Sequence, residues 1–226
     1  MKLVIFDCDG TLVDSQNAIF ASMAHAFESH GLEQPSRHRV LSIVGLSLPQ
    51  AIQVLLPDHK MPFVHAVSAS YKGAFQKLRT EPSHREPLFS GAGVTLKRLA
   101  ARDDVVLGIA TGKSQRGVDL LLEREGWQSY FATIQTADNA PSKPDPGMIL
   151  QAMAEVGADP AATVMIGDTT YDIEMARAAG VTALGVAWGY HPVADLKRAG
   201  AHRIVVDFAE LHAAIEAGIG NSGGVT

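Results

Sequence analysis

Two carboxylates separated by one residue stand near the start of the chain. Asp7-Cys8-Asp9-Gly10-Thr11-Leu12 follows directly on the apolar run Leu3 to Phe6. In extended backbone, residues two apart point to the same side. Asp7 and Asp9 therefore address one site, and Cys8 points away as a small core residue. Two such carboxylates repel each other unless a cation lies between them, and hard oxygen donors suit Mg2+ completed by water and phosphate. Asp-Gly alone also makes an ordinary turn, with Asp9 bonded to local backbone. Its place at the end of an apolar run, together with the groups below, favours a site.

Three later segments carry matching chemistry. Thr111-Gly112-Lys113 offers a hydroxyl, a permissive backbone and a positive charge, a set that cradles phosphate. Thr111 as a helix cap and Lys113 as a solvated surface residue fit equally well. Lys143-Pro144-Asp145-Pro146 is stiffened by its two prolines. Lys143 is read as the functional ammonium, with Asp145 as N-cap and Pro146 as first residue of a helix. In Gly167-Asp168-Thr169-Thr170-Tyr171-Asp172, the two acids lie toward one side of a helix's first turn. The helix dipole accounts for one acid there; two favour a metal site. His25, His59, His65 and His191 have no metal-ligand spacing that stands out from scattered histidines.

These segments need elements to position them. Apolar runs read as buried strands at Leu3 to Phe6, Val105 to Ala110, Ala132 to Gln135, Thr163 to Ile166 and Thr182 to Ala187, with a sixth at Arg203 to Val206. Helical spacing appears at Val94 to Ala101, Gly117 to Glu125, Pro146 to Val156 and Tyr171 to Ala179. Strands alternating with helices predict α/β architecture around a largely parallel sheet, whose ligands sit at the carboxyl ends of the strands. Between the first and second strands, Ala18 to His30, Leu48 to Leu56 and Phe63 to Leu78 read as helices. Pro82, Pro87, Gly91 and Gly93 then punctuate the return to alternation. Residues 1–14 and 87–220 are expected to form the core, 15–86 a helical insertion, and 221–226 a Gly/Ser-rich flexible tail.

Bulk properties narrow the class. The 226 residues are 46% hydrophobic, enough for a real core, and the net charge of -5 gives no reason to expect nucleic acid or anionic membrane as a partner. No run approaches the ~20 apolar residues of a membrane span, and no signal peptide is legible. Cys8 is the single cysteine, so no intramolecular disulfide forms and a reducing cytoplasm is expected.

In order, Asp7-x-Asp9-Gly10-Thr11, Thr111, Lys143 and Gly167-Asp168-x-x-x-Asp172 resemble the four motifs of the haloacid dehalogenase superfamily, in its phosphoglycolate-phosphatase-like branch. The resemblance spans essentially the whole chain. It implies a Rossmann-like core with an inserted helical cap that closes over the site, and a Mg2+-dependent phosphatase acting on a small-molecule phosphate ester. It assigns Asp7 as nucleophile and Asp9 as general acid and base. Thr111, Lys143, Gly10, Thr11, Gly112 and Lys113 would surround the phosphoryl group. Asp7, Asp168 and the backbone carbonyl of Asp9 would hold Mg2+, and Asp172 would support the metal shell or hold Lys143. Gly112 departs from the family, where many members carry Asn. Gly45-Leu46-Ser47-Leu48 resembles a substrate-specificity loop and also fits a helix connection capped by Ser47. Trp188-Gly189-Tyr190-His191 resembles a late loop of the branch with no role derivable from sequence. A β-phosphoglucomutase-like mutase or a pyrophosphatase on the same core are the alternatives, and monomer and homodimer both fit.

Overall fold

The computed structural model describes residues 1–79, 81 and 84–218; Pro82 and the Gly/Ser-rich tail lie outside them. Six strands form one sheet among the described residues: β1 (Lys2–Phe6), β2 (Val105–Thr111), β3 (Phe131–Thr136), β4 (Thr163–Gly167), β5 (Thr182–Val186) and β6 (Arg203–Val205). All pairings are parallel, in the order β3-β2-β1-β4-β5-β6. β1 lies between β2 and β4, where the strand order reverses. Such a switch point opens a crevice at the carboxyl ends of the strands, and Asp7 is the first residue beyond β1.

The alternation along β1 explains the layers. Leu3 and Ile5 face one apolar cluster with α7 (Gly147–Val156), α8 (Thr170–Ala178) and α9 (Val193–Arg198). Val4 and Phe6 face the other, with α5 (Ala92–Ala100), α6 (Gln115–Glu125) and α10 (Phe208–Gly218). Both faces are covered, which is why these strands read as continuous apolar runs. Cys8 joins the second cluster, pointing away from the site as expected.

Among the described residues, four α-helices intervene between β1 and α5: α1 (Gln16–Ser29), α2 (Arg37–Leu41), α3 (Leu48–Leu55) and α4 (Met61–Leu78). Their apolar stripes meet in a separate cluster that includes Ile19, Met23, Phe27, Ile52, Val64 and Val67. The outgoing and returning chain are stitched together. The Asp14 N–H donates to the Pro87 carbonyl at 2.8 Å, and the Phe89 N–H donates to the Leu12 carbonyl at 3.0 Å. Val13 and Leu88 form an antiparallel bridge between them.

The sequence reading needs correction at α7. The helix begins at Gly147, and Pro146, not Asp145, is its N-cap. Asp145 Oδ1 instead accepts the Gly147 N–H at 2.8 Å, an Asx-type bond one residue further out. α2, α9 and α10 were not foreseen. The first two are short (Arg-His-Arg-Val-Leu and Val-Ala-Asp-Leu-Lys-Arg). α10 carries a legible stripe at Phe208, Leu211 and Ile215.

Candidate active site

Four strand-end loops converge on Asp7. Its N–H donates to the Ile166 carbonyl, fixing it beside β4, and its side chain is 1% exposed. Lys143 arrives from the segment before α7, fully buried, with Nζ 2.8 Å from Asp7 Oδ1. That ammonium also donates to Asp172 Oδ1 at 2.6 Å. Asp172 is in turn fixed by a capping box at the start of α8: its Oδ2 accepts the Thr169 N–H and hydroxyl at 3.0 and 2.7 Å. Asp172 thus pairs with Lys143 and also stands in the acid cluster with Asp7 and Asp168.

Asp168 is buried beside them. Its Oδ1 accepts the Thr11 hydroxyl at 2.9 Å and its Oδ2 the Tyr190 N–H at 2.8 Å. Gly10 makes this approach possible. With φ at +91°, it occupies left-handed backbone, and a Cβ there would stand 2.2 Å from Asp168 Oδ2. The Trp188 to His191 loop completes the clamp. Trp188 Nε1 donates to the Thr11 carbonyl at 3.0 Å, and Tyr190 Oη accepts the Ser15 N–H at 2.9 Å. This loop ties the Asp7-to-Thr11 turn to Asp168, the role that sequence could not supply.

The electrostatics are those of a buried acid cluster. Burial pushes Asp7 up to about 6, against the pull of Lys143. Burial also holds Asp168 well above the usual carboxylate range, with Asp172 and Asp7 adding repulsion. Burial works to depress Lys143, yet Asp172 and Asp7 hold it above its ordinary value. Burial raises the Cys8 thiol, which makes it a poor nucleophile. Carboxylate oxygens of Asp7, Asp168 and Asp172 lie within 4.8 Å of one another. Asp7 Oδ1 has no aligned hydrogen bond despite the nearby ammonium, and Oδ2 has none. One lysine does not neutralise three such groups. Desolvated oxygen donors with spare lone pairs fit a hard divalent cation. All three carboxylates could contribute an oxygen to such an ion, and Asp7 has the most lone pairs free of hydrogen bonds.

Asp9 turns elsewhere. Its Oδ1 receives Lys113 Nζ at 2.8 Å, and the same ammonium donates to Glu86 Oε1 at 2.9 Å. Glu86 Oε2 lies 3.4 Å from Arg79 Nη2. Glu86 is 5% exposed, on the segment returning from the insertion. The reading of Lys113 as a solvated surface residue is thereby corrected: its side chain is 7% exposed and doubly paired. Glu86 was missed because a single acid before a proline carries no motif.

Thr111 ends β2, buried at the floor of a cavity of about 340 Å³ that also contains Asp7, Asp9, Gly112 and Lys113. The insertion roofs it. The Ser47 N–H donates to Ser142 Oγ at 2.8 Å, and the Tyr171 hydroxyl donates to the Ser42 carbonyl at 3.1 Å. Ser47 is the N-cap of α3 but makes no side-chain cap bond. Gly112 sits directly under the roof, where a Cβ would stand 2.6 Å from the carbonyl oxygens of both Gly45 and Leu46.

Comparison with known proteins agrees with this architecture. The family model described as haloacid dehalogenase-like hydrolase matches residues 4–186. A relative named probable phosphatase IndB, from Dickeya dadantii, is 37% identical over 217 residues, covering 95% of this chain and 94% of its own length. A phosphoglycolate phosphatase of Agrobacterium fabrum is 30% identical, covering 94% and 91%. Among solved structures, a hydrolase from Pseudomonas syringae superposes with a TM-score of 0.85 at 25% identity, over 96% of this chain and 99% of its own. No described helix is long and apolar enough to cross a membrane. The chain belongs to the haloacid dehalogenase-like hydrolase family and is an enzyme of its phosphatase kind.

Proposed function

We propose that this protein is a Mg2+-dependent phosphatase that hydrolyses a small-molecule phosphomonoester, the class that includes phosphoglycolate, through an aspartyl-phosphate on Asp7. The observation carrying this reading is the buried Asp7 carboxylate, ion-paired to Lys143 on one oxygen and unpartnered on the other, at the floor of the cavity. An Asp7 oxygen attacks phosphorus in line and the bond to the leaving oxygen breaks. Asp9 gives its proton to that departing oxygen. In the second step Asp9 takes a proton from water, whose oxygen attacks phosphorus. Inorganic phosphate leaves, and the Asp7 carboxylate is restored.

Lys143 offsets charge on the nucleophile and the phosphoryl group, held in aim by Asp172. Thr11, Thr111 and the backbone of Gly10 and Gly112 surround the phosphoryl oxygens, and Lys113 steadies Asp9. Asp7, Asp168 and the Asp9 backbone carbonyl would hold Mg2+, which supplies neutralisation of the phosphoryl charge. The single buried cysteine fits a reducing cytoplasm. Monomer and homodimer both remain compatible with an active site built within one chain.

Phosphate release from p-nitrophenyl phosphate tests the reading. Turnover is expected with Mg2+, lost on exhaustive chelation and restored by adding Mg2+ back. Full activity after chelation would reject the metal. Return of phosphoryl to a sugar phosphate without phosphate release would make the protein a mutase.

A further inference from the structure

The cavity's walls carry information about the leaving group, given the phosphatase reading above. Tyr71 and Phe75 lie one turn apart on α4, with ring centroids 5.8 Å apart and planes 22° from parallel. Both line the cavity. Lys113 Nζ, 2.8 Å from Asp9 Oδ1, lies 5.4 Å from the centre of the Phe75 ring. The aromatic pair therefore adjoins the acid–base carboxylate, the end that faces the departing oxygen. Ile19, Met23, Val44 and Leu46 are among the other apolar walls. The Tyr71 hydroxyl has no hydrogen-bond partner among the described residues and remains available to a ligand.

Two cations at this end are already committed. Lys113 is shared by Asp9 and Glu86, and Arg79 is paired with Glu86. Lys72 and Arg116 also line the cavity, exposed and without an ion pair among the described residues. The wall next to Asp9 is the Tyr71–Phe75 pair, and the ammonium that reaches it is already shared by two carboxylates. A bare charge set against that aromatic wall is costly. A ring gains both area burial and stacking. A cavity of about 340 Å³ lies in the range that takes an organic ligand of ring size or larger.

We propose that the substrate is the phosphate monoester of a ring-bearing alcohol, whose aryl or heteroaryl group packs against Tyr71 and Phe75. These two residues set specificity through the leaving group, and do no chemistry themselves.

The test compares kcat/KM for 2-phenylethyl phosphate, ethyl phosphate, phosphoglycolate and pyrophosphate at saturating Mg2+. The first two release similar primary alkoxides, so their ratio reports recognition of the ring. A preference of about thirtyfold for the phenyl compound is expected from burial of one ring. Phe75→Leu should bring that ratio down toward one, with the far-UV spectrum unchanged. A measurement on the native protein stands beside the variant: 2-phenylethanol should inhibit competitively, and glycolate should not. Phosphoglycolate or pyrophosphate turned over better than the phenyl ester would overturn the inference and leave the phosphatase reading intact. A phenyl preference untouched in folded Phe75→Leu, or no inhibition by 2-phenylethanol, would also overturn it. Absence of turnover on every ester would remove the phosphatase reading and this inference together.

Discussion

At the scale of single residues, Asp7 combines two opposed demands. It must be ionised to attack, yet burial raises it from 3.8 to about 6. The folded, metal-free protein thus binds that proton more tightly than the unfolded chain, and this group's effect is to lower stability as pH rises from about 4 through 6. Asp7→Asn removes that loss. We expect its metal-free form to unfold at or above the parent's temperature at pH 7.5, a difference of order 1 kcal/mol, shrinking toward pH 4.5. Thermal melts at the two pH values would decide it; a destabilised variant at pH 7.5 would contradict the burial argument. The same variant should lose about 10⁴-fold or more in kcat, because an amide cannot attack phosphorus. Asp9→Asn should slow both chemical steps by about 10²–10⁴-fold, measured by phosphate release and by phosphoenzyme trapping; unchanged kinetics would remove its proton-transfer role. The residues of this floor were legible in sequence because each follows an apolar run and the acids are spaced to share a site. Glu86 was not legible, since its partners are 27 residues on at Lys113 and 7 residues back at Arg79, distances that only folding closes.

At the scale of elements, the connection between insertion and core is ionic as well as covalent. Arg79 follows α4, Glu86 lies on the returning segment, and Lys113 follows β2 and reaches Asp9. Glu86→Gln leaves Lys113 with Asp9 alone and Arg79 without its anion. Stability should fall by about 1–3 kcal/mol, because a partner is taken from buried charges that keep some of their bonds. A double-mutant cycle with Lys113→Met, followed by urea unfolding, should show a coupling above about 0.5 kcal/mol; additive effects would mean that the pair is energetically idle. The strands were readable because burial on both faces leaves continuous apolar runs. The start of α7 was misplaced by one residue because Asp-Pro-Gly offers two acceptable caps, and the first helical bond, from the Leu150 N–H to the Pro146 carbonyl, decided between them. Tyr71 and Phe75 were passed over because an aromatic stripe at helical spacing reads as core, and only the neighbouring core loop shows that it faces a cavity.

At the scale of the whole molecule, the insertion rests over the carboxyl ends of the strands, and Gly112 packs directly beneath the Gly45–Leu46 backbone. The departure from Asn at this position was visible in sequence, but its consequence depends on two distant segments meeting. Gly112→Ala would set a methyl group 2.6 Å from two roof carbonyls, which forces the roof outward. We expect kcat/KM to fall about tenfold or more while the melting temperature changes little, because the loop and not either core is disturbed. Small-angle scattering should show a larger radius for the variant; unchanged scattering and kinetics would mean that the roof yields freely.

The paired crossings between core and insertion have a mechanical corollary. Asp14 with Pro87, and Phe89 with Leu12, are zipped by backbone bonds, so the two connections behave as one ribbon and not as separate tethers. A ribbon flexes about one axis and resists sliding along its length. Movement of the roof is therefore expected to follow a nod about that ribbon more than a swivel. Asp9 stands at the root of the ribbon, bridged to Val13, so such a nod would be felt at the proposed proton donor.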